Sequence, residues 1–307
     1  MILITGFRGF LGRTLCRRLN AIGQSWIGID FAKEFSKCGK DYLLDLTNSR
    51  QINNLVKSLQ GTSIQSIIHL AGFIDININM GTDGKLRPGV EDIVALYNSN
   101  VVMTAEVLCL AQKFGVDKIV FASSQTVYGE GLDTTNFNES SELLPIEHYA
   151  GSKVCAETML RIEASEKLSV VALRFCGLWG NEKRGEFVSD MIASGLNRRE
   201  IDSSYPIPLP LDVIHVEDAV SAIVAALKVD TRGFRAYNVS TGEGCSTEII
   251  AREVSEVLGT GALVKYGSVT QPIVTMNIER LKTELSCCPC SRRVRIAEFL
   301  QKEMKHG

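Results

Sequence analysis

"MILITGFRGFLG" occupies residues 1–12. A short apolar run enters a turn carrying Gly6, Gly9 and Gly12, and "RTLCRRLNAIG" follows with helical spacing up to Gly23. The apolar run does not alternate, which marks a strand covered on both faces, as in a parallel sheet. Strand, glycine turn and helix in that order suit a dinucleotide, because glycines let the backbone turn tightly and approach a pyrophosphate. The helix start then offers N–H groups and the positive end of its dipole to the anion. The spacing is Gly-x-x-Gly-x-x-Gly, one residue longer in the first gap than the Gly-x-Gly-x-x-Gly fingerprint, and glycines alone would also serve a merely tight turn. The next strand, "SWIGID", separates the two readings because it ends on Asp30, 18 residues past Gly12. A carboxylate there accepts hydrogen bonds from both hydroxyls of an adenosine ribose and repels the extra phosphate of NADP, so NAD is the expected cofactor. Asp45 and its neighbour Leu46, in "LLDL", are placed at the adenine edge.

Outward from this unit the alternation continues. "DYLLDL" reads as a third short strand and residues 48–60 as an amphipathic helix. "SIIHLAG" is a fourth strand, 90–114 a long helix and "KIVFASS" a fifth strand. Residues 148–167 form another helix and "SVVALRF" a sixth strand. Strands alternating with helices give an α/β fold, a Rossmann-type doubly wound parallel sheet. After residue 175 the texture changes. Residues 176–214 include "SSYPIPLPLD", where Pro206, Pro208 and Pro210 forbid a central strand or a helix, and the segment reads as an irregular excursion. "HVEDAVSAIVAALK" is a helix returning to the sheet, and "AYNVSTG" is another strand. The expected division is a cofactor-binding domain of 1–175, rejoined by about 215–235. A smaller, interleaved substrate lobe takes 176–214 and 236–307.

Composition narrows the partners. Hydrophobic residues at 45% and charged residues at 22% exclude a disordered chain. A net charge of −2 gives no pull toward nucleic acid or an anionic membrane. No apolar run reads as a membrane span, and no basic region precedes an apolar segment at the N-terminus, so the expected location is the cytoplasm. Nine cysteines, an odd number, are then expected to stay reduced and buried. "CCPC" at 287–290 has a C-x-x-C spacing, but a zinc site needs a second pair at a matching distance. No metal is expected.

"HYAGSK", residues 148–153, sets Tyr149 and Lys153 one helical turn apart on one face. A phenol normally ionises near pH 10 (about), and a neighbouring positive charge favours the ionised form. Such a phenol exchanges a proton with substrate at neutral pH. Alone, the spacing is as well explained by a packed tyrosine and a solvated lysine. "FASSQTVYG" puts Ser123, Ser124 and Thr126 at the carboxyl end of the fifth strand, where ligands of such sheets bind, although a Ser/Thr-rich turn has the same composition.

Together these pieces resemble the extended short-chain dehydrogenase/reductase family, and within it the NAD-dependent nucleotide-sugar epimerases and dehydratases such as the UDP-glucose 4-epimerases. The pieces are "TGFRGFLG", Asp30, "HLAG" at 69–72, Asn100 in "NSNVVMTAEVL", "SSQTVYG" and "YAGSK", with weaker echoes in "DVIHVEDAV" and "YNVSTGE". The resemblance implies Tyr149 as general acid/base. Lys153 would hold the nicotinamide ribose and lower the Tyr149 pKa, and Ser124 would bond the reacting hydroxyl or ketone. It implies cofactor contacts at Phe10 and Leu11 beside the glycines, at Leu70, Ala71 and Gly72, and support from Asn100. Substrate contacts are implied at Ser124, Gln125, Thr126, Tyr149 and Gly177. A homodimer through the two long helices is also implied.

The chain departs from the family on the substrate side. In "RFCGLWG", Gly177 stands where many relatives have a substrate-binding asparagine. Leu211 replaces an arginine before the Asp of "PLDVIHV", and "TQPIVTMN" lacks a second arginine for a diphosphate. Lys183, Arg184, Arg198, Arg199 or Arg235 would have to compensate. Gln125 and Thr126 replace the acidic pair of the sugar 4,6-dehydratases, so dehydration is not expected. The expected reaction is NAD-dependent epimerisation of an activated sugar. An NAD(P)H-dependent 4-ketoreductase is the alternative, and a non-catalytic dinucleotide-binding protein the remaining one.

Overall fold

The structure is a computed structural model. It describes the chain except residues 75–76, 81–85, 90–91, 130–135, 181–186, 198–199, 204–211, 260–262, 266–272, 274 and 307. The first unit is β1 (Ile2–Thr5), with all four residues buried, then α1 (Phe10–Ala21) and β2 (Trp26–Asp30). Next come β3 (Ser36–Cys38), β4 (Asp41–Leu43), α2 (Ser49–Ser58) and β5 (Ser66–His69). Then β6 (Asn77–Met80) and β7 (Leu86–Gly89) pair antiparallel with each other. One long helix follows, made of α3 (Ile93–Tyr97), a π-helical turn Asn98–Val102 and α4 (Met103–Phe114). β8 (Lys118–Ser124) runs into a 3₁₀ turn, Gln125–Tyr128. β9 (Asn136–Phe137), α5 (His148–Glu163), β10 (Ser169–Phe175) and β11 (Gly177–Trp179) come next.

The later chain forms α6 (Phe187–Leu196), β12 (Ile201–Asp202), β13 (Val213–His215), α7 (Val216–Lys228) and β14 (Phe234–Val239). It closes with α8 (Thr247–Leu258), β15 (Val264–Lys265), β16 (Thr275–Met276), α9 (Glu279–Leu285) and α10 (Arg292–His306).

The main sheet has the order β14-β10-β8-β5-β1-β2-β4-β3. All its pairs are parallel except β3 on β4 at one edge. The strand order reverses at β1, which pairs in register with β2 and with β5 (Thr5↔Ile29 and Thr5↔His69). A crevice at the carboxyl end of such a reversal is where these sheets bind ligands. Side chains of one strand feed opposite cores. Ile2 and Ile4 join Leu15, Leu19 and Ile223 on the α1/α7 face, and Leu3 joins Ile52, Val107 and Leu160 on the α2/α4/α5 face. A third cluster, with Met191, Ile250, Val254 and Phe299, holds α6, α8 and α10 together as the lobe.

Several expectations change. The segment 176–214 is not wholly irregular. Phe187, Val188, Met191 and Ile192 are buried and make α6 a packed helix, while the alternating prolines lie outside the described residues. The boundary expected at 235/236 cuts β14, which belongs to the main sheet through Val239, so the returning piece is longer. Residues Ile93–Phe114 are long and apolar enough, by length and composition, to cross a membrane, contrary to the reading that no run was. Leu96, Asn100 and Thr104 are buried, and Val107, Leu108, Leu110 and Ala111 pack in the core on the α2/α4/α5 face of the sheet.

His69 ends β5 inside a directional chain of hydrogen bonds. Ala71 N–H donates to Thr5 Oγ1 at 3.2 Å, and Thr5 Oγ1 lies 2.7 Å from His69 Nδ1. His69 Nε2 lies 3.2 Å from Thr104 Oγ1, which donates to the Asn100 carbonyl at 2.6 Å. Thr104 spends its proton on Asn100, so His69 carries its own proton on Nε2 and accepts at Nδ1. Burial, helped by Lys153, pushes the imidazole from 6.5 down to about 3. The native state therefore refuses a proton that the unfolded state takes up, and stability is lost as pH falls from 6.5 toward 3. Urea midpoints across this window test it. His69→Gln is expected to flatten the slope by about one proton per molecule, and equal slopes in the two proteins would contradict the assignment.

Candidate active site

The glycine turn is built from backbone contacts that exclude side chains. Gly6 has φ +74°, and a Cβ on it would lie 2.7 Å from Ala71 N. A Cβ on Gly12 would lie 2.2 Å from the Gly6 carbonyl oxygen and 2.7 Å from Phe7 Cα. Those two glycines let the turn sit between the ends of β1 and β5. Gly9 is the N-cap of α1, with no side-chain cap and no acid in the first turn, so no residue of the helix start competes with an incoming anion. Phe10 and Leu11 form that first turn. The cradle fits a pyrophosphate. Asp30 is held by two amides, Arg8 N at 2.7 Å and Phe31 N at 2.8 Å, one on each carboxylate oxygen. Each oxygen keeps acceptor capacity for a ribose hydroxyl. Asp45 accepts from Thr47 N and Oγ1 and turns the chain toward α2, whose N-cap is Asn48. The Leu46 side chain is buried in the core, leaving its backbone for any ligand contact.

Tyr149 opens α5, where the Glu147 carboxylate caps the helix by accepting from Tyr149 N and Ala150 N. Ser124 ends β8. Its Oγ accepts from Thr126 N at 3.2 Å and Thr126 Oγ1 at 3.0 Å, which leaves its own proton to donate to the Tyr149 oxygen. Burial raises the Tyr149 phenol above its ordinary range and Glu147 adds to this, while the Ser124 hydrogen bond opposes both. Lys153 stands near this pair. Its ammonium donates to the Ala122 carbonyl at 2.9 Å and lies 5.7 Å from the Tyr149 ring centroid. Lys153 is only 4% exposed, and burial brings it down to about 8 against the opposing pull of Glu157.

The π-helical turn aims Asn100 inward. Asn100 Oδ1 accepts from Phe73 N at 2.8 Å, and Nδ2 donates to the Phe73 carbonyl at 3.0 Å and to Ser152 Oγ at 2.9 Å. This clamps the chain after β5 to α5. Leu70 and Ala71 are half-buried there, and Gly72 is exposed. A Cβ on Gly72 would stand 3.2 Å from both Asn100 Oδ1 and Lys153 Nζ, so the glycine, Asn100 and Lys153 share one small space. A single π turn interrupting an α-helix is frequent at functional sites, but apolar spacing does not reveal it.

Gln125 and Thr126 are half-buried in the 3₁₀ turn after Ser124. Gly177 packs against β13: its N–H donates to the Asp212 carbonyl, and a Cβ would lie 3.1 Å from Val213 Cγ1. Any substrate contact at Gly177 comes from backbone. Of the compensating cations, Arg235 is committed to Glu284 and lies in the first half of β14, toward the sheet's other end. Lys183, Arg184, Arg198 and Arg199 lie outside the described residues. Sequence reasoning missed Glu157 and Arg174, a buried pair directly behind Ser123. The Tyr-x-x-x-Lys-x-x-x-Glu spacing in "YAGSKVCAE" was the available signal.

With Asp30 fixed by two amides and aimed at the ribose end, NAD is expected to bind more tightly than NADP by about tenfold or more, roughly 1.4 kcal/mol. Calorimetric titration with both cofactors measures this, and Asp30→Ala should narrow the gap. Tighter NADP binding would sink the assignment of Asp30.

Comparison with known proteins identifies the family. The NAD dependent epimerase/dehydratase family model matches residues 2–240. The UDP-glucose 4-epimerase of Bacillus subtilis (strain 168) is 27% identical over 293 residues, covering 84% of this chain and 82% of that one. The dTDP-4-dehydro-6-deoxyglucose reductase of Escherichia coli is 26% identical over 309 residues, covering 94% and 92%. MoeE5, solved in complex with UDP-glucuronic acid and NAD, superposes with a TM-score of 0.75 at 26% identity, covering 98% of this chain and 99% of that one. With its glycine cradle, parallel sheet and Tyr-x-x-x-Lys helix, this chain belongs to the NAD-dependent epimerase/dehydratase family of extended short-chain dehydrogenase/reductase enzymes.

Proposed function

We propose that the enzyme epimerises a ring hydroxyl of a nucleotide-activated sugar, oxidising it and then reducing the ketone on the opposite face. The meeting of Tyr149, Ser124 and Lys153 beside the glycine cradle carries this reading. NAD, when bound, supplies the hydride acceptor and, for the return, the hydride donor. The Tyr149 oxygen takes the proton of the sugar hydroxyl as it is oxidised and returns it once the ketone is reduced. The Ser124 hydroxyl, which supports that oxygen, orients the reacting group. Lys153 holds the cofactor ribose and keeps a positive charge beside the developing phenolate. Gly6, Gly9, Phe10, Leu11 and Gly12 cradle the pyrophosphate, with Asp30, Asp45 and Leu46 at the adenosine end. Leu70, Ala71, Gly72 and Asn100 line the nicotinamide side. Gln125, Thr126 and the backbone of Gly177 meet the sugar. The names of the relatives support a nucleotide sugar as substrate.

Asp30 favours epimerisation over reduction. An epimerase regenerates its NAD in each cycle, whereas a biosynthetic ketoreductase usually draws on NADPH, which Asp30 repels. The reductase remains the second reading, favoured by the 94% coverage of this chain by a sugar reductase. Gln125 and Thr126 offer no group that titrates near neutrality, which speaks against dehydration. Four of the nine cysteines expected to be buried, Cys38, Cys109, Cys155 and Cys288, are exposed, and exposed thiols in this number suit a reducing, cytoplasmic setting.

The purified protein is expected to carry NAD and to interconvert a C4 epimer pair of a UDP-sugar without added cofactor. Tyr149→Phe should lower kcat by about 100- to 10,000-fold while cofactor binding stays near wild type. Stoichiometric NADH or NADPH consumption with a keto-sugar, without epimerisation, would move the assignment to the reductase. Activity retained in Tyr149→Phe would refute the mechanism.

The same reading includes a homodimer. Val94, Val102 and Cys109 on the long helix and Cys155 and Ile162 on α5 are exposed, an apolar face suited to pairing two copies helix to helix. Light scattering should give twice the chain mass, and a monomeric mass would dispose of it.

A further inference from the structure

Behind the candidate pair lies a buried polar network with no part in the chemistry so far. Glu157 stands one turn past Lys153 on α5, so Tyr149, Lys153 and Glu157 repeat at intervals of four on one face. Glu157 and Arg174 are each only 1% exposed. Glu157 accepts a two-pronged bond from Arg174, Nε at 3.0 Å and Nη2 at 2.7 Å, and a third from Ser123 Oγ at 2.5 Å. Arg174 Nη1 continues to the Tyr128 hydroxyl at 2.9 Å, which donates to Asn238 Oδ1 at 2.6 Å. A buried ion pair is seldom better for stability than well-packed apolar residues, so stability alone does not account for this one.

We propose that Glu157 is a positioning residue for the Tyr149–Lys153 pair: it lies one turn beyond the buried ammonium on the same helix face, and through Ser123 it holds the strand end that projects Ser124. The inference rests on the acid/base reading above. The groups around Lys153 are few. α5 contributes Tyr149 and Glu157. β5 contributes His69, kept neutral. β10 contributes Arg174, whose charge is engaged by Glu157. β8 offers the Phe121 ring at 4.9 Å and the Ala122 carbonyl, and Asn100 Oδ1 faces the same space beside Gly72. Among these, Glu157 supports the charged form of Lys153 against burial, and Lys153 then titrates near 8. Below that value the ammonium holds the ribose, and above it the contact weakens. Without the Glu157 charge the weakening sets in at lower pH.

The test is NAD affinity, measured by calorimetry on protein freed of bound nucleotide, over a pH series of about 6 to 10. Wild-type affinity is expected to fall above about pH 8. In Glu157→Gln the fall should begin about 1 pH unit lower. If the unpaired Arg174 prevents folding, the Glu157→Gln/Arg174→Gln double variant removes one charge of each sign; its fall should still begin below the wild-type pH, by a smaller shift, because losing the Arg174 charge partly offsets losing that of Glu157. Ser123→Ala removes a hydroxyl but no charge, and its profile should stay at the wild-type pH. An unmoved profile in the Glu157 variants, or an equal shift in Ser123→Ala, overturns the proposal. Lys153→Met separates the two levels. If it leaves NAD affinity at the wild-type value, the acid/base reading itself fails. If it weakens NAD while the Glu157 profiles stay unmoved, only this inference fails.

Discussion

A lysine ammonium almost shut away from water, at the mouth of a parallel sheet, constrains everything around it. Taking a charge out of water costs several kcal/mol (roughly) unless polar partners replace the solvent. Lys153 finds them on separate elements: the Ala122 carbonyl at the end of β8, the Phe121 ring beneath it, and Glu157 further along α5. Gly72, after β5, leaves room for the Nζ because it has no Cβ. These partners meet only if β5, β8 and α5 arrive in one register. The parallel pairing of β5 with β8 and of β8 with β10 supplies that register.

The glycine turn answers to the same arrangement through His69. The Ala71 amide, Thr5, His69, Thr104 and the Asn100 carbonyl form one chain of hydrogen bonds with a single direction. It ties the end of β1, the chain leaving β5 and the π turn before α4. A fully satisfied buried network rigidifies what it joins. The cofactor cradle and the Asn100 clamp are thus parts of one rigid piece, and α5 docks on that piece through Ser152.

The substrate side is organised differently. β11 pairs with β13, and Asp212 between lobe and sheet is fully buried, accepting from Val213 N, Thr241 Oγ1 and Gly242 N. A Cβ at Gly177 would lie 3.1 Å from Val213 Cγ1 and 3.2 Å from the Asp212 carbonyl oxygen, so a side chain there would crowd this pairing. Of the cations at the start of α10, Arg292 is used within the lobe, on Glu253, and Arg295 ties the lobe to Asp218 of α7. The described residues hold the lobe together with their charges.

The amino-acid sequence by itself determined the parallel sheet, the glycine cradle, Asp30 at the second strand's end and the Tyr149/Lys153 helix. These signals are local: apolar runs mark buried strands, glycines mark close backbone approach, and a four-residue interval marks one helix face. Local signals also misjudged what packing controls. The strand β3, the β6–β7 hairpin, helix α6 within the supposed excursion and the end of the returning piece at Val239 all depend on what each segment meets in space. Only the tertiary structure decided that Lys153 turns to the Ala122 carbonyl, that Ser124 is the donor to Tyr149, and that Arg235 is already engaged by Glu284. It likewise brought Glu157, Arg174 and Ser123 together from α5, β10 and β8. A charge's protonation and its partners are set by burial and by neighbours distant in the chain, and the linear sequence does not carry that information.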